Sequence, residues 1–338
     1  MRALRLIAVA ALLLAAVPAA AGTAPAPRVS IFYYPWYGTP ARDGAYDHWQ
    51  QQWHLPPADI ASNFYPARGP YSSGNPTVVA GQMREIAAAG ITEVVSSWWG
   101  WGSLEDERLP LLIAEARKVG LSVAVQIEPF PDRSVETLAA AIPHLLSLGI
   151  TRFYVYQPFA DLGDADWTRL NASLTAVQLL AQTANATEAA ADGFQGIYTY
   201  DILAYGPSTL PVVCARARAV HILCAPSVGP GYDASRATGD PRVRSRRNGA
   251  SYDSMWRAAI ASHPDLVTIT SYNEWHEGTQ IEPARERSFW HGRVLSRSPV
   301  EHFTYQDYDG AFGLHGRAAG SAYLGRTAYW TRAFARSR

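Results

Sequence analysis

Eight short runs rich in β-branched and aromatic residues recur along the chain, at 29–34, 91–97, 121–127, 152–156, 174–180, 196–200, 220–224 and 266–271. Each is of strand length, and helix-like stretches lie between several of them at 75–90, 109–119, 135–148, 208–219 and 250–262. Pro76 opens the first of these helices and Gly90 follows it, and Gly120 ends the second. Pro143 falls inside the third, where it predicts a kink or break. The 174–180 run, taken as the fifth strand, also passes for helix. A last helix with a basic end is expected over 323–338. Strands alternating with helices call for parallel βα units, and eight of them suit a closed (β/α)8 TIM-type barrel whose long βα loops form a cleft. The rival is an open doubly wound sheet. That fold usually carries a glycine-rich phosphate turn after its first strand, whereas this chain has Tyr34-Pro35-Trp36-Tyr37-Gly38 there.

The barrel would occupy 29–338 as one domain. Before it, Arg2 and Arg5 precede an apolar run at 6–17 and small residues at 18–22, the pattern of an export signal over 1–21, followed by a linker at 22–28. The apolar run is short for a membrane span, and no later stretch is longer. The expectation is a secreted or extracytoplasmic monomer. Lys plus Arg and Asp plus Glu both total 29, so no global charge attracts nucleic acid or an anionic membrane. Cys214 and Cys224 are compatible with a disulfide in an exported chain or with two buried thiols. Without a matching histidine pattern they make no metal site, and no cofactor is expected.

The chemistry gathers where the runs end. After 266–271 come Asn273, Glu274, Trp275, His276, Glu277 and Gly278. Cleavage between sugars needs two carboxyl groups, usually one protonated and one ionised. In an extended chain residues i and i+3 point apart by on the order of 10 Å. In a helical turn they share a face, with Cβ atoms about 5–6 Å apart. Glu274 and Glu277 can therefore cooperate only if the chain turns after Asn273, and Gly278 is compatible with a turn. The plain alternative is a solvated loop carrying two surface glutamates.

Other strand ends carry Tyr34 and Tyr37, Trp98 and Trp99, Glu128, and Tyr200 with Asp201, and in a barrel these ends converge on one face. Glu128 could hold a sugar hydroxyl or pair with an arginine. Trp98, Trp99 and Trp101 are too dense for one face of a strand, so at least one should line a surface or cleft while the others pack in the core. His48 and His276 could each hold a hydroxyl or serve structure alone. Arg242, Arg244, Arg246 and Arg247 read as a solvated basic loop. The eleven Trp and eighteen Tyr fill a core or stack on sugar faces.

With these residues in view, the chain resembles glycoside hydrolase family 99, the endo-α-mannosidase and endo-α-mannanase family, over nearly its whole mature length. The markers are the segments 33–38, 47–49, 63–66, 71–73, 127–129, 193–200 and 227–232, and above all 273–282. The resemblance implies a metal-free barrel that cleaves α-mannosidic links inside a chain with retention. It implies that Glu274 acts as a base on the sugar's own 2-hydroxyl, giving a 1,2-anhydro sugar. Glu277 would protonate the leaving oxygen and later activate water. Glu128 would bind the sugar at the cleavage subsite, and Tyr200 would sit near the anomeric centre. Tyr34, Tyr37, His48, Trp99, Asn273, Trp275 and His276 complete the candidate substrate-binding set, with an α-linked, mannan-type glycan as partner. Residues 99–102 and 233–239 depart from the pattern of the eukaryotic members, and 130–195 is less alike, so the chemistry transfers better than the substrate. Another α-linked glycan, or a carbohydrate-binding protein without catalysis, remains an alternative reading.

Overall fold

The computed structural model describes residues 28–290 and 302–337. The expected signal over 1–21 and the linker as far as residue 27 lie outside the described residues. Arg28, the last linker position, already belongs to the first strand.

Strands β1 (Arg28–Tyr33), β2 (Glu93–Trp98), β3 (Ser122–Ile127), β4 (Arg152–Val155), β5 (Gln178–Gln182), β6 (Gly196–Tyr198), β7 (Leu223–Ala225) and β8 (Ser227–Val228) follow in chain order. A small antiparallel ladder joins β9 (Tyr232–Asp233) to β10 (Val243–Arg244), and β11 (Leu266–Ile269) completes the barrel. The sheet is parallel, in the order β7-β6-β5-β4-β3-β2-β1-β11-β8. Its first and last members are separated in sequence only by Pro226. β7 pairs with β6, and beyond the proline β8 pairs with β11, so one bent stave closes an eight-stave barrel. Pro226 has no N–H to give to a ladder, and its carbonyl still accepts from the Thr268 N–H at 3.1 Å.

Helices clothe the barrel: α1 (Pro40–Asp43), α2 (Pro76–Ala88), α3 (Leu104–Lys118), α4 (Val135–Ser147), α5 (Asp164–Ser173), α6 (Ala186–Ala191), α7 (Leu210–Ala219), α8 (Ala250–Ala261) and α9 (Ala322–Arg336). Three of the longer ones carry side-chain N-caps. Asn75 accepts from the Thr77 N–H, Ser103 from Asp106 and Ser134 from Thr137. A hairpin of β12 (Ser288–Trp290) and β13 (His302–Thr304) stands outside the barrel sheet, and Trp290 is exposed on it.

Three expectations need correction. The fifth strand is Gln178–Gln182 rather than 174–180, because Leu174 caps α5 and the apolar signal of the two elements runs together. The seventh begins at Leu223 rather than 220, since Val220 caps α7. α4 runs unbroken through Pro143 and buries Leu138, Ala141, Ile142 and Leu145 on one face. Packing on the barrel outweighs the one helical hydrogen bond that proline removes.

Alternate residues of β1 point inward and fill the barrel in layers. At the bottom Ser30 meets Glu93, a buried carboxylate also held by Arg28, Arg152 and Tyr154. One layer up, the Phe32 ring lies 5.7 Å from Tyr154, 5.6 Å from Tyr198 and 5.0 Å from Tyr200. Above it sits Tyr34, at the mouth. Cys214 on α7 and Cys224 on β7 are joined by a disulfide, with Cα atoms 5.2 Å apart.

The segment after β11 is anchored by Glu282, which has no exposure to solvent. Its Oε1 accepts from Gln82 at 2.8 Å and Arg68 at 3.1 Å, and its Oε2 from Tyr71 at 2.7 Å and the Trp275 indole at 2.9 Å. Four donors require an ionised acceptor. Burial pushes the carboxyl up, and Arg68 with the neutral donors opposes it. Glu282→Gln would set an amide N–H₂ against those donors and leave Arg68 without its buried partner. We expect a loss of about 3–5 kcal/mol in urea unfolding at pH 7, with Glu136→Gln, on an exposed face, within about 0.5 kcal/mol of wild type.

Candidate active site

Just past β11 comes Thr270, whose hydroxyl donates to the Tyr200 carbonyl at 3.0 Å. From there the chain makes a closed loop. The Ser271 N–H donates to the Thr279 carbonyl at 3.0 Å, the two hydroxyls meet at 2.9 Å, and the Ile281 N–H returns to the Ser271 carbonyl at 3.0 Å. Inside the ring the Trp275 N–H turns back to the Asn273 carbonyl at 3.0 Å, so the chain does turn after Asn273. Gly278 takes φ 63°, and a Cβ there would lie 3.0 Å from the Asp233 carbonyl oxygen, so glycine is needed.

Asn273 joins this loop to the first strand. Its side-chain oxygen accepts from the Tyr34 N–H at 2.8 Å and its amide donates to the Tyr34 carbonyl at 2.9 Å. One amide side chain thus continues the β1–β11 ladder past the end of the strand. The Tyr37 hydroxyl donates to the Asn273 carbonyl at 3.0 Å and accepts from the Trp275 N–H at 3.1 Å. Tyr37, Asn273 and Trp275 are fully buried, placed to brace the loop from behind.

Glu274 and Glu277 stand on this braced turn. The Glu274 N–H donates to Ser271 Oγ at 2.9 Å, and Glu274 Oε1 accepts from the His276 N–H at 3.0 Å. His276 donates through Nε2 to the His48 carbonyl at 2.6 Å. A carbonyl can only accept, so Nε2 carries the proton and Nδ1 faces Glu274 Oε1 at 3.4 Å. Burial lowers the His276 imidazole to about 4 and that of His48 to about 3. The His48 ring stacks on Trp36 at 4.5 Å, 5° from parallel.

Across the mouth, the Tyr34 and Tyr200 hydroxyls form a short hydrogen bond, and Tyr200 donates to Glu277 Oε2 at 3.3 Å. Glu128 rises from the end of β3, accepting from Ser97 and Gln126, both at 2.8 Å. Burial pushes Glu128 up to about 7, against the pull of those two donors. Glu277 is also pushed up to about 7, by burial first, with the Tyr200 hydrogen bond opposing. Glu274 is raised well above the carboxylate range by burial and then by Glu277. Burial and mutual repulsion therefore favour a Glu274–Glu277 pair that holds a single proton near neutrality.

A cavity of about 90 Å³ opens beside Glu277, lined by Tyr156, Tyr200, Asp201, Tyr232 and Arg242 among others. Sequence reasoning did not single out Tyr156, Tyr232, Ser97 or Gln126. Tyr156 could have been found, since it follows its strand as Tyr200 does. Of the basic run, Arg242 and Arg247 are exposed as expected, whereas Arg244 and Arg246 are partly buried. Arg242 pairs with Asp240 at 2.6 Å beside the cavity. Arg246 donates to the Gly278 and Gln280 carbonyls at 2.9 and 2.7 Å and lies over the Phe64, Tyr308 and Tyr323 rings. Trp98 is core, whereas Trp99 is 37% exposed at the rim.

Residues 26–158 and 168–336 match the family model described as Glycosyl hydrolase family 99. The chain is 32% identical over 325 residues to a Glycoprotein endo-alpha-1,2-mannosidase-like protein of Mus musculus, covering 77% of this chain and 72% of that protein. It is 32% identical over 313 residues to the Glycoprotein endo-alpha-1,2-mannosidase of the same organism, covering 75% and 67%. The solved structure of the family 99 endo-alpha-mannosidase from Bacteroides thetaiotaomicron superposes with a TM-score of 0.80 at 32% identity, over 92% of this chain and 98% of that one.

Tyr200→Phe would remove a donor that favours ionised Glu277. Its carboxyl should then titrate above about 7, by on the order of one unit, in a carboxyl-carbon NMR titration. An unchanged or lower midpoint would take Tyr200 out of the control of this group.

Proposed function

The chain belongs to glycosyl hydrolase family 99 and is a glycoside hydrolase, and on that premise we propose that it is an exported, retaining endo-α-mannosidase or mannanase. The observation that carries the reading is the Glu274–Glu277 pair, two carboxyls on one braced turn facing Glu128 and the Tyr34–Tyr200 hydroxyl pair.

Ionised Glu274 takes the proton from the sugar's 2-hydroxyl as that oxygen attacks the anomeric carbon. The bond to the leaving oxygen breaks, and that oxygen receives the proton of Glu277. The product of this half is a 1,2-anhydro sugar. Glu277, now ionised, takes a proton from water as the water oxygen opens the three-membered ring at the anomeric carbon, and Glu274 returns its proton to the 2-oxygen. Two inversions give net retention, and both carboxyls end as they began. Burial lifts both carboxyls, and the reactive form is the one whose shared proton sits on Glu277, in which Glu274 is a strong base. Glu128 is set to hold a sugar hydroxyl. Asn273, Tyr37 and Trp275 act through the turn rather than on the sugar. Names of the relatives favour α-mannose as the substrate. The Cys214–Cys224 disulfide favours an oxidising compartment, in keeping with export.

The test is product analysis on yeast α-mannan and on a glucosylated mannose oligosaccharide. Wild type should release oligosaccharides whose first-formed anomer, read by NMR, is α. Glu277→Gln should lower turnover by on the order of a thousandfold while leaving substrate binding. Since the reaction needs one proton on the pair, turnover should fall at high pH, where both carboxyls are ionised. It should also fall at low pH, where both carboxyls are protonated. Release of the β anomer would refute neighbouring-group retention, and no release from either glycan would refute the mannosidase reading.

A further inference from the structure

A second groove, of about 380 Å³, opens on the same face of the barrel, between the loop after β2 and the segment that leads from β3 into α4. Its walls include Trp98, Trp99, Trp101, Phe130 and Asp132. Its walls are hydrogen-bonded through the backbone to Glu128 of the candidate active site. The Glu128 N–H donates to the Trp98 carbonyl at 3.0 Å, and the Phe130 N–H to the Glu128 carbonyl at 2.9 Å. Glu128 thus sits between the two walls.

Trp101, at the tip of the loop, is 61% exposed. One face of its indole is covered by the His144 imidazole, 4.6 Å away and 6° from parallel, and His144 comes from α4. The support is built inward from there. Buried Asp106 accepts from the Trp98 indole at 2.8 Å and from the Gly102 N–H at 3.0 Å, and lies 3.3 Å from His144 Nε2. Gly100 and Gly102 take φ 107° and 79°, the backbone that turns the loop outward. An exposed tryptophan costs contact with water, and in a loop it would normally fold down. Here an imidazole and a buried carboxylate hold it up as a flat platform, ordered before any ligand arrives.

We propose that Trp101, held by His144 and Asp106, is the platform of an outer glycan subsite, which takes a further sugar ring of the same α-linked chain whose reacting unit lies at Glu128 and Glu274. The inference rests on the glycosidase reading for its ligand. A pyranose ring offers one flat C–H face to the indole and hydroxyls at its edge to the polar rim, where Asp132 stands. The groove has both kinds of wall.

The test is affinity electrophoresis in gels cast with yeast α-mannan, on the Glu277→Gln protein so that no glycan is consumed. Adding Trp101→Ala, a change at an exposed position, should weaken the apparent Kd by on the order of three- to tenfold. His144→Ala should weaken it less, and His144→Phe, which keeps a stacking ring, should restore it. Equal retardation with and without Trp101 would overturn the subsite. So would the absence of retardation for both proteins. In either case, oligosaccharide release by wild type reports separately on whether the hydrolase reading stands.

Discussion

The buried Glu282 carboxylate governs how the top of this barrel can be arranged. A charge taken out of water must be answered by partners of fixed geometry. Here they come from separate parts of the chain: Arg68 and Tyr71 before α2, Gln82 within it, and Trp275 inside the turn that carries the two candidate carboxyls. Gln82 passes the constraint on to Tyr33 of β1, whose hydroxyl donates to it at 2.6 Å. The turn is thereby tied to the first strand and the first long helix before any sugar is present. Arg246 holds the far leg through the Gly278 and Gln280 carbonyls. A loop supported in this way can keep two carboxyls at a set separation, as acid–base work on one bond requires.

The support and the chemistry use burial in different ways. Glu282 and Glu93 are each met by arginine guanidinium groups as well as neutral donors, which suits anchors. Glu128 and Glu277 receive neutral donors from Ser97, Gln126 and Tyr200, so burial wins and both rise to about 7. A carboxyl that titrates near neutrality can give and take a proton within one reaction cycle. The aromatic layers beneath serve the same end. The rings of Phe32, Tyr154 and Tyr198 fill the barrel under the Tyr34–Tyr200 pair and keep water from entering below.

Much of this was legible in the residues. The alternation of apolar runs and helices points to the barrel, because a strand buried on both faces must be apolar along its length. The special residues after each run point to one face of it. The errors lie where a local signal competes with packing. Leu174 and Leu179 read as one run, although the first caps a helix and the second lies in a strand. Pro143 breaks a helix in isolation, yet here it sits in an intact one whose other face is held by the core. Arg246, within a run of surface-like arginines, is placed under three rings by residues far away in sequence.

The sequence by itself determined the order of strands, the residue types at their ends and the likeness to family 99, since these depend on local periodicity and on motifs that need no partner. Only the tertiary structure decided which residues of a motif face the cleft and which face the core. Asn273, Glu274, Trp275, His276 and Glu277 are contiguous and look alike as candidates. The asparagine and the tryptophan turn inward to Tyr34 and Glu282, and the two glutamates stand toward the mouth. That division follows from hydrogen-bond partners up to 239 residues away, and no local pattern encodes where such partners will lie. The same holds for the disulfide: sequence left Cys214 and Cys224 open, and the packing of α7 on β7 brought their Cα atoms to 5.2 Å.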